Sequence, residues 1–261
     1  VTSAWRDLLP IAREAVALGG RIMATRVPSE ITEKARRDLV TDVDLAVEET
    51  MRAFLTREAP EIGVLGEELG LTGPSGQGYW ALDPVDGTAN FARGIPLCGV
   101  SLGLIVDEQP VVGAIELPLL GHAYWASVGG GAFRDGQRLQ VSTVDSLASS
   151  MVSVGDFSVR AEDARKNELR LRLLAALGAQ AERVRMIGTA AIDMVWVAEG
   201  KLEATINLSN LPWDTMAGVV LVREAGGLVV DGDGTRHGIG SACTIAVTPG
   251  IHDILLDLIN H

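Results

Sequence analysis

The segment Ala81-Leu82-Asp83-Pro84-Val85-Asp86-Gly87-Thr88-Ala89-Asn90-Phe91 sets two carboxylates three residues apart and follows them at once with Gly-Thr. Taken alone, it has two readings. It is a turn between a strand and a short helix, or it is a hard-metal site with a phosphate pocket beside it. Pro84 fixes its own φ and narrows the conformations open to Asp83. That orients Asp83 and Asp86 toward one point and leaves the Val85 carbonyl as a third oxygen. Magnesium takes near-octahedral oxygen ligands at about 2.1 Å, so stiffly held carboxylates suit it. Gly87 permits a close backbone approach. The free N–H groups of Thr88 and Ala89, opening a short helical turn, offer a cradle for phosphate.

Two further acidic sites bear on the choice. Gly66-Glu67-Glu68 follows the apolar run Ile62-Gly63-Val64-Leu65, so it too lies at a strand end. Adjacent carboxylates repel unless they are exposed or bridged by a cation, and an exposed acidic loop is the alternative. Leu211-Pro212-Trp213-Asp214-Thr215-Met216-Ala217-Gly218 puts Asp214 at the start of an apolar helix. There it is either an N-cap, worth about 1 kcal/mol, or a ligand walled by Trp213 and kept ionised by the helix N-terminus. Glu67, Asp83, Asp86 and Asp214 are thus four candidate ligands around one cleft.

Asp44 and Thr88 would complete a reaction. A threonine hydroxyl bonded to a carboxylate can hold a metal-bound water in line with a phosphorus atom, and coordination lowers that water's pKa from its bulk value of about 15.7. Two metals about 4 Å apart would stabilise both the incoming and the leaving oxygen. The ester is then cleaved by water with no covalent enzyme intermediate. The alternative for Asp44 is a surface acid in a first helical turn. Lys34, in the stretch Glu33-Lys34-Ala35-Arg36-Arg37-Asp38-Leu39-Val40-Thr41, either shapes the metal loop or is solvated.

The elements that must hold these groups follow from periodicity. Trp5, Leu8, Leu9, Ala12, Ala15, Val16 and Gly19 predict an amphipathic helix over 3–25. Thr41 caps a second helix over 42–58, with Glu48, Glu49 and Arg52 on a mixed face. The middle is rich in strands: 78–82, 99–106, 111–117, 123–126, and an Asp135-Gly136 hairpin joining 131–134 to 138–141. Such close spacing predicts an antiparallel meander rather than a βαβ array. Beyond residue 142 come a strand at 151–154, a polar helix over 162–177 and a short strand at 183–187. They are followed by apolar helices over 190–198 and 215–224, strands at 228–231 and 244–247, and a last helix over 251–259. The organisation is α+β in two halves. Residues 1–142 carry the antiparallel sheet and most candidate ligands, and 143–261 supply Asp214 and the segments facing a substrate.

Composition narrows the classes. The 261 residues are 47% hydrophobic, enough for a substantial core in one large domain or two joined ones. The formal net charge of −12 argues against a nucleic-acid surface. It has two readings: solubility, or acids that serve as ligands for divalent cations. The four histidines are widely spaced in no metalloprotease-like pattern, which disfavours zinc and leaves oxygen ligands for magnesium. No apolar run reaches 18 residues, so no membrane span is expected. The first residues lack the pattern of a secretory signal. Cys98 and Cys243 lie in apolar runs, which predicts buried thiols and a cytoplasmic setting, with a disulfide between them left open.

Across essentially the whole chain the sequence resembles the inositol monophosphatase family of magnesium-dependent, lithium-sensitive phosphatases. The resemblance rests on KARRDLVTDVD (Lys34–Asp44), Gly66-Glu67-Glu68, DPVDGTANF (Asp83–Phe91), Gly188-Thr189-Ala190-Ala191, Trp213-Asp214 with Ala217-Gly218, and Glu224-Ala225-Gly226-Gly227. DPVDGTANF followed later by WDTMAG is its most specific part. It implies a layered αβαβα sandwich of the inositol monophosphatase/fructose-1,6-bisphosphatase type, a homodimer, and two or three Mg2+ per active site. It places metal ligands at Glu67, Asp83, the Val85 carbonyl, Asp86 and Asp214. The water-activating pair falls on Asp44 and Thr88, assisted by Glu67. Phosphate falls on the Gly87 and Thr88 backbone, and the hydroxyl-bearing part of the substrate near Ala190.

Lys34, Gly188, Thr189, Asn207 and Trp213 complete the expected substrate surroundings, and Asn210 either faces the substrate or serves a turn. One position departs from the pattern. Where inositol-preferring members carry a glutamate seven residues before the Trp-Asp aspartate, this chain has Asn207. Loss of a charge-assisted bond there would cost about 1–3 kcal/mol if buried. The implied activity is hydrolysis of a small polyol phosphate such as inositol 1-phosphate. A histidinol-phosphate or sugar-phosphate phosphatase stands beside it, and a dimeric regulatory or scaffold protein is the non-enzymatic alternative.

Overall fold

The computed structural model describes residues 5–35, 38–74, 76 and 78–260. Ser3 and Ala4 of the expected first helix, and Arg36 and Arg37 of the KARRDLVTDVD stretch, lie outside the described residues. After a 3-10 turn at Arg6–Leu8, helix α1 (Leu9–Thr25) and helix α2 (Asp42–Glu58) pack side by side on one face of an eight-stranded sheet. In spatial order that sheet is β10 (Gln137–Arg138), β9 (Gly131–Arg134), β8 (His122–Ser127), β7 (Gln109–Leu117), β6 (Gly99–Val106), β5 (Gly78–Asp86), β3 (Gly63–Gly66) and β4 (Gly70–Thr72). From β5 to β10 it is the expected antiparallel meander. Its β3–β5 pair runs parallel, which brings the C-terminal ends of both strands, and the acids that follow, to the same edge.

Every residue of β6 is buried, as a strand covered on both faces requires. Trp80, Leu82, Val100, Leu102 and Leu104 face α1 and α2, in one core with Ala12, Val16, Val47 and Met51. The other face meets α5 (Ala190–Ala198) and α6 (Pro212–Glu224), through Ile115, Leu117 and Tyr124 against Ile192, Val195, Ala217 and Val220. The approach of α6 is close. A Cβ on Gly103 would lie 2.9 Å from the Ala217 nitrogen, and one on Gly113 would lie 2.4 Å from the Ala217 carbonyl oxygen. Glycine is therefore required at both positions.

A five-stranded sheet lies beyond these helices, ordered β12 (Arg183–Arg185), β11 (Met151–Val154), β13 (Ala204–Asn207), β15 (Thr244–Val247), β14 (Leu228–Val230). Helices α4 (Ala164–Gln180) and α7 (His252–Asn260) cover its far side, with Leu173, Leu177, Leu255 and Ile259 packed on Val152, Val154, Ile206 and Ile245. The layers run αβαβα, and both sheets are open.

Three elements depart from the periodicity reading. Residues around Lys34 form a hairpin, β1 (Ile31–Ala35) with β2 (Asp38–Thr41). Residues 31–34 are solvent-exposed, so the strand has no apolar face to betray it. The strand β13 is only four residues long, too short for a period to show. Helix α6 begins at Pro212 rather than Thr215, so Asp214 lies inside its first turn and is not the N-cap; proline suits that first position because it lacks an N–H.

Candidate active site

The two strand-end motifs converge as the parallel β3–β5 pairing dictates. Glu67 follows β3, and its N–H donates to the Leu82 carbonyl at 3.1 Å. Asp83 lies within β5, its Oδ1 accepting from the Val85 N–H at 3.0 Å. Between Asp83 and Asp86 the register with β6 shifts, so both carboxylates leave the ladder near the same place. Ligand oxygens of Glu67, Asp83 and Asp214 lie within 4.8 Å of one another. Asp214 reaches them from α6, whose position is fixed by its bed on Gly103 and Gly113.

Asp86 is buried next to this triad and lines the same cavity. Its Oδ2 accepts from the Thr189 hydroxyl at 2.9 Å and from the Ala191 N–H. The chain then turns through Gly87 at φ 89° into the short helix α3 (Thr88–Phe91). A Cβ at Gly87 would lie 2.9 Å from the Leu97 carbonyl oxygen, so both space and backbone angle demand glycine.

The electrostatics are those of closely gathered acids, with Lys34 paired to Glu67 at the rim. Burial raises Asp83 well above the ordinary carboxylate range, and the charges of Glu67, Asp86 and Asp214 push it further. Burial likewise lifts Asp86 to about 6, opposed by its bonds from Ala191 and Thr189. Such a set of hard oxygen donors fits a divalent cation, which removes the mutual repulsion that keeps these groups protonated. Lys34 serves the same cluster from its rim. Its Nζ donates to Glu67 Oε1 at 2.9 Å and Glu68 Oε1 at 2.7 Å. Burial would lower its pKa, but the bonds to Glu68 and Glu67 raise it.

The Thr88 hydroxyl lies 3.0 Å from Asp44 Oδ1 and 2.9 Å from the Val85 carbonyl oxygen. Asp44 sits at the third position of α2 and is held by a capping box: its Oδ2 accepts from both the N–H and the hydroxyl of Thr41. Burial raises the Asp44 pKa, opposed by its bonds from Thr41 and Thr88.

A cavity of about 410 Å³ opens over these groups. Glu67, Asp83, Val85, Asp86, Gly87, Thr88 and Asp214 line it, together with Gly188, Thr189, Ala190 and Asn207 from the second half of the chain. Lys34, Asn210 and Trp213 lie outside its lining. The Asn210 amide donates to the carbonyls of Gly238, Ile239 and Ser241, which ties down a loop. The Trp213 carbonyl accepts from Ser101, which ties α6 to β6.

Two functional features have no signature in the motifs. One is Glu48, a fully buried acid whose Oε1 pairs with Arg52 and accepts from the Leu69 N–H, while its Oε2 accepts from the Glu68 N–H. It fastens the turn that carries Glu67 to α2. The i,i+4 spacing of Glu48 and Arg52 was the available signal. The other is a set of cations on the cavity wall, Arg160, Lys166 and Arg170, contributed by the β11–α4 connection and α4.

Comparison with known proteins agrees with this geometry. Residues 4–260 match the model of the inositol monophosphatase family. The chain is 38% identical over 226 residues to the inositol-1-monophosphatase ImpA of Mycolicibacterium smegmatis, covering 87% of this chain and 82% of that protein. It is 34% identical over 257 residues to the fructose-1,6-bisphosphatase/inositol-1-monophosphatase of Aquifex aeolicus, covering 97% and 95%. Among solved structures, the extragenic suppressor protein SuhB of Bartonella henselae superposes with a TM-score of 0.91 at 28% identity, covering 97% of this chain and 98% of that one. Sequence, fold and the gathering of acids at the ends of β3, β5 and α6 lead to one conclusion: the chain belongs to the inositol monophosphatase family.

Proposed function

We propose that this chain is a magnesium-dependent phosphomonoesterase that hydrolyses a small polyol phosphate, such as inositol 1-phosphate, to the alcohol and inorganic phosphate. The observation that carries the reading is the Thr88–Asp44 hydrogen bond of 3.0 Å beside the Glu67, Asp83 and Asp214 cluster. Glu67, Asp83, the Val85 carbonyl, Asp86 and Asp214 would hold two or three Mg2+. Magnesium bound there supplies positive charge to the phosphoryl oxygens and acidifies the attacking water.

The chain's own groups then do the following. Thr88 Oγ1 passes its proton to Asp44 Oδ1 and accepts one from the water, orienting it. Thr41 keeps Asp44 from rotating away. The raised Asp44 pKa makes that carboxylate a better proton acceptor. The Gly87 and Thr88 backbone takes the phosphate, and Ala190 faces the hydroxyl-bearing part. A homodimer, inhibition by lithium and a cytoplasmic setting belong to this reading. Asn207, at the place where inositol-preferring members carry an acid, favours a second reading within the same chemistry, a sugar-phosphate or histidinol-phosphate substrate.

The test is phosphate release from inositol 1-phosphate, histidinol phosphate, fructose 1,6-bisphosphate, glycerol 2-phosphate and 3'-phosphoadenosine 5'-phosphate, with magnesium and with chelator. Magnesium-dependent turnover of at least one is expected. Its absence from all five, in a folded protein shown to bind magnesium, would leave the regulatory or scaffold alternative.

A further inference from the structure

We infer that the cavity holds a second anionic group of the substrate on the wall made by Arg160, Lys166 and Arg170, so that the preferred phosphomonoester carries a further phosphate or carboxylate away from the bond that is cut. The inference rests on the phosphatase reading above and extends it to the substrate class.

The main observation is Arg170. It lines the cavity yet is only 5% exposed. Its Nε donates to the Gly155 carbonyl at 3.2 Å and its Nη1 to Asn167 Oδ1 at 3.0 Å. Both acceptors are neutral, and among the described residues no carboxylate comes within ion-pair distance of it. A buried guanidinium with no direct ion pair, offset only by the charges of Asp163 and Asp156 further off, is costly, and a cavity that admits an anion lowers that cost.

Two more cations share the wall. Arg160 is exposed and makes no side-chain hydrogen bond or ion pair among the described residues. Lys166 lies 3.6 Å from Asp163, a long and partly exposed pair. Against these three cations stand Asp156, Asp163 and the buried Asp193, whose carboxyl burial pushes up to about 7. All the basic side chains among the described residues of the cavity lining thus gather on this one wall, in a chain whose formal charge is −12.

The cavity is bipolar, with acids for cations at one end and basic groups for an anion on this wall. The reacting phosphate belongs with the acids and their cations, so the basic wall is left for the rest of the substrate. Asn207 contributes to that outcome. It lies against Gly155, where a Cβ would be 3.2 Å from Asn207 Oδ1, and Gly155 is the residue whose carbonyl Arg170 holds. A carboxylate at 207 would stand there as a competing counter-ion. The amide leaves the guanidinium's charge to the ligand.

The test compares pairs of substrates that share the cleaved phosphate and differ in the second charge. One pair is fructose 1,6-bisphosphate and fructose 1-phosphate; the other is 3-phosphoglycerate and sn-glycerol 3-phosphate. The wild-type ratio of kcat/KM within at least one pair should favour the doubly anionic member tenfold or more and shrink as salt is raised. The double variant R160A/K166A, altered only at a partly open wall, should reduce that ratio at least tenfold, and Asn207→Glu should reduce it as well. Preference in the first pair alone identifies a phosphate, and in the second alone a carboxylate.

A wild-type ratio near one in both pairs overturns the inference, as does a ratio that R160A/K166A leaves unchanged. Calorimetric binding of fructose 1,6-bisphosphate to the magnesium-loaded protein separates the two levels. Binding that is weakened in R160A/K166A without any turnover would keep the anion subsite and sink the phosphatase reading. Neither binding nor turnover would sink both.

Discussion

Asp86→Asn tests whether the acid cluster is held at the expense of stability. Burial lifts the Asp86 pKa from an ordinary 3.8 to about 6. That shift of roughly 2 units corresponds to about 3 kcal/mol. The folded pKa is raised, so the native state is favoured while Asp86 is protonated, and that stability is lost as pH climbs from about 4 through about 6. Asparagine stays neutral at every pH, and its Oδ1 can accept the same bonds from Thr189 and Ala191. In chelator at pH 8 the variant should therefore be more stable than wild type by up to about 3 kcal/mol, or about 6–12 °C in Tm for a chain of this size. At pH 4 the two should nearly coincide.

Magnesium should reverse the order. At a hundredfold excess over Kd a ligand stabilises by about 2.7 kcal/mol, and the variant, short of one carboxylate, should gain much less. Turnover of the variant should be nearly abolished. Thermal melts at pH 4 and pH 8, each with chelator and with magnesium, give all four comparisons. A variant less stable than wild type in chelator at pH 8 would refute the reasoning, because the Thr189 and Ala191 bonds would then outweigh the burial of the charge.

Thr88→Ala removes the hydroxyl between Asp44 and the Val85 carbonyl; kcat should fall by about 10²–10⁴ while the magnesium dependence of the melt is retained, and wild-type turnover would exclude the assigned role. Asn207→Glu restores an acid at the cavity wall. It should raise kcat/KM for inositol 1-phosphate relative to the other monoesters by about tenfold, the scale of one charge-assisted bond, and steady-state kinetics across the substrate panel read this directly. Glu48→Gln keeps the shape of the buried acid but turns an NH2 group either toward Arg52 and the Leu69 N–H or toward the Glu68 N–H; it should destabilise the fold by about 3–5 kcal/mol, the cost of breaking a buried ion pair, and weaken magnesium affinity measured by calorimetry. Unchanged affinity would show that the turn holds Glu67 without Glu48.

The local chemistry was legible because it is written locally. Asp83, Pro84, Val85, Asp86 and Gly87 are consecutive, and the strand before them is plain from its apolar run. Asp214 was legible by residue type, although the start of its helix was placed late because Pro212 and Trp213 resemble a turn. What sequence alone could not supply is the reach between distant segments. Arg170 looks like any charge on a polar helix until the fold seats α4 against β11 and buries it. Glu48 looks like part of a mixed helical face until β3 and the Glu68 and Leu69 amides close over it. Asn210, open in the sequence between a substrate and a turn role, turns its amide to the carbonyls of the Gly238–Ser241 loop. The β1–β2 hairpin carries Lys34 to Glu67 and Glu68 by strand pairing that no apolar pattern marks.

The bare backbone of Gly103 and Gly113 beneath α6 sets a limit on the order of folding events. Asp214 joins Glu67 and Asp83 only once that helix has settled on β6 and β7. Contacts between segments so far apart in the chain form late, because loop closure precedes any gain from them. A cation that needs all three carboxylates therefore has no complete site in a partly folded chain and cannot act as a nucleus. Magnesium should leave the refolding rate almost untouched and act on the unfolding rate instead, so that the ion prolongs the life of the native state rather than hastening its formation.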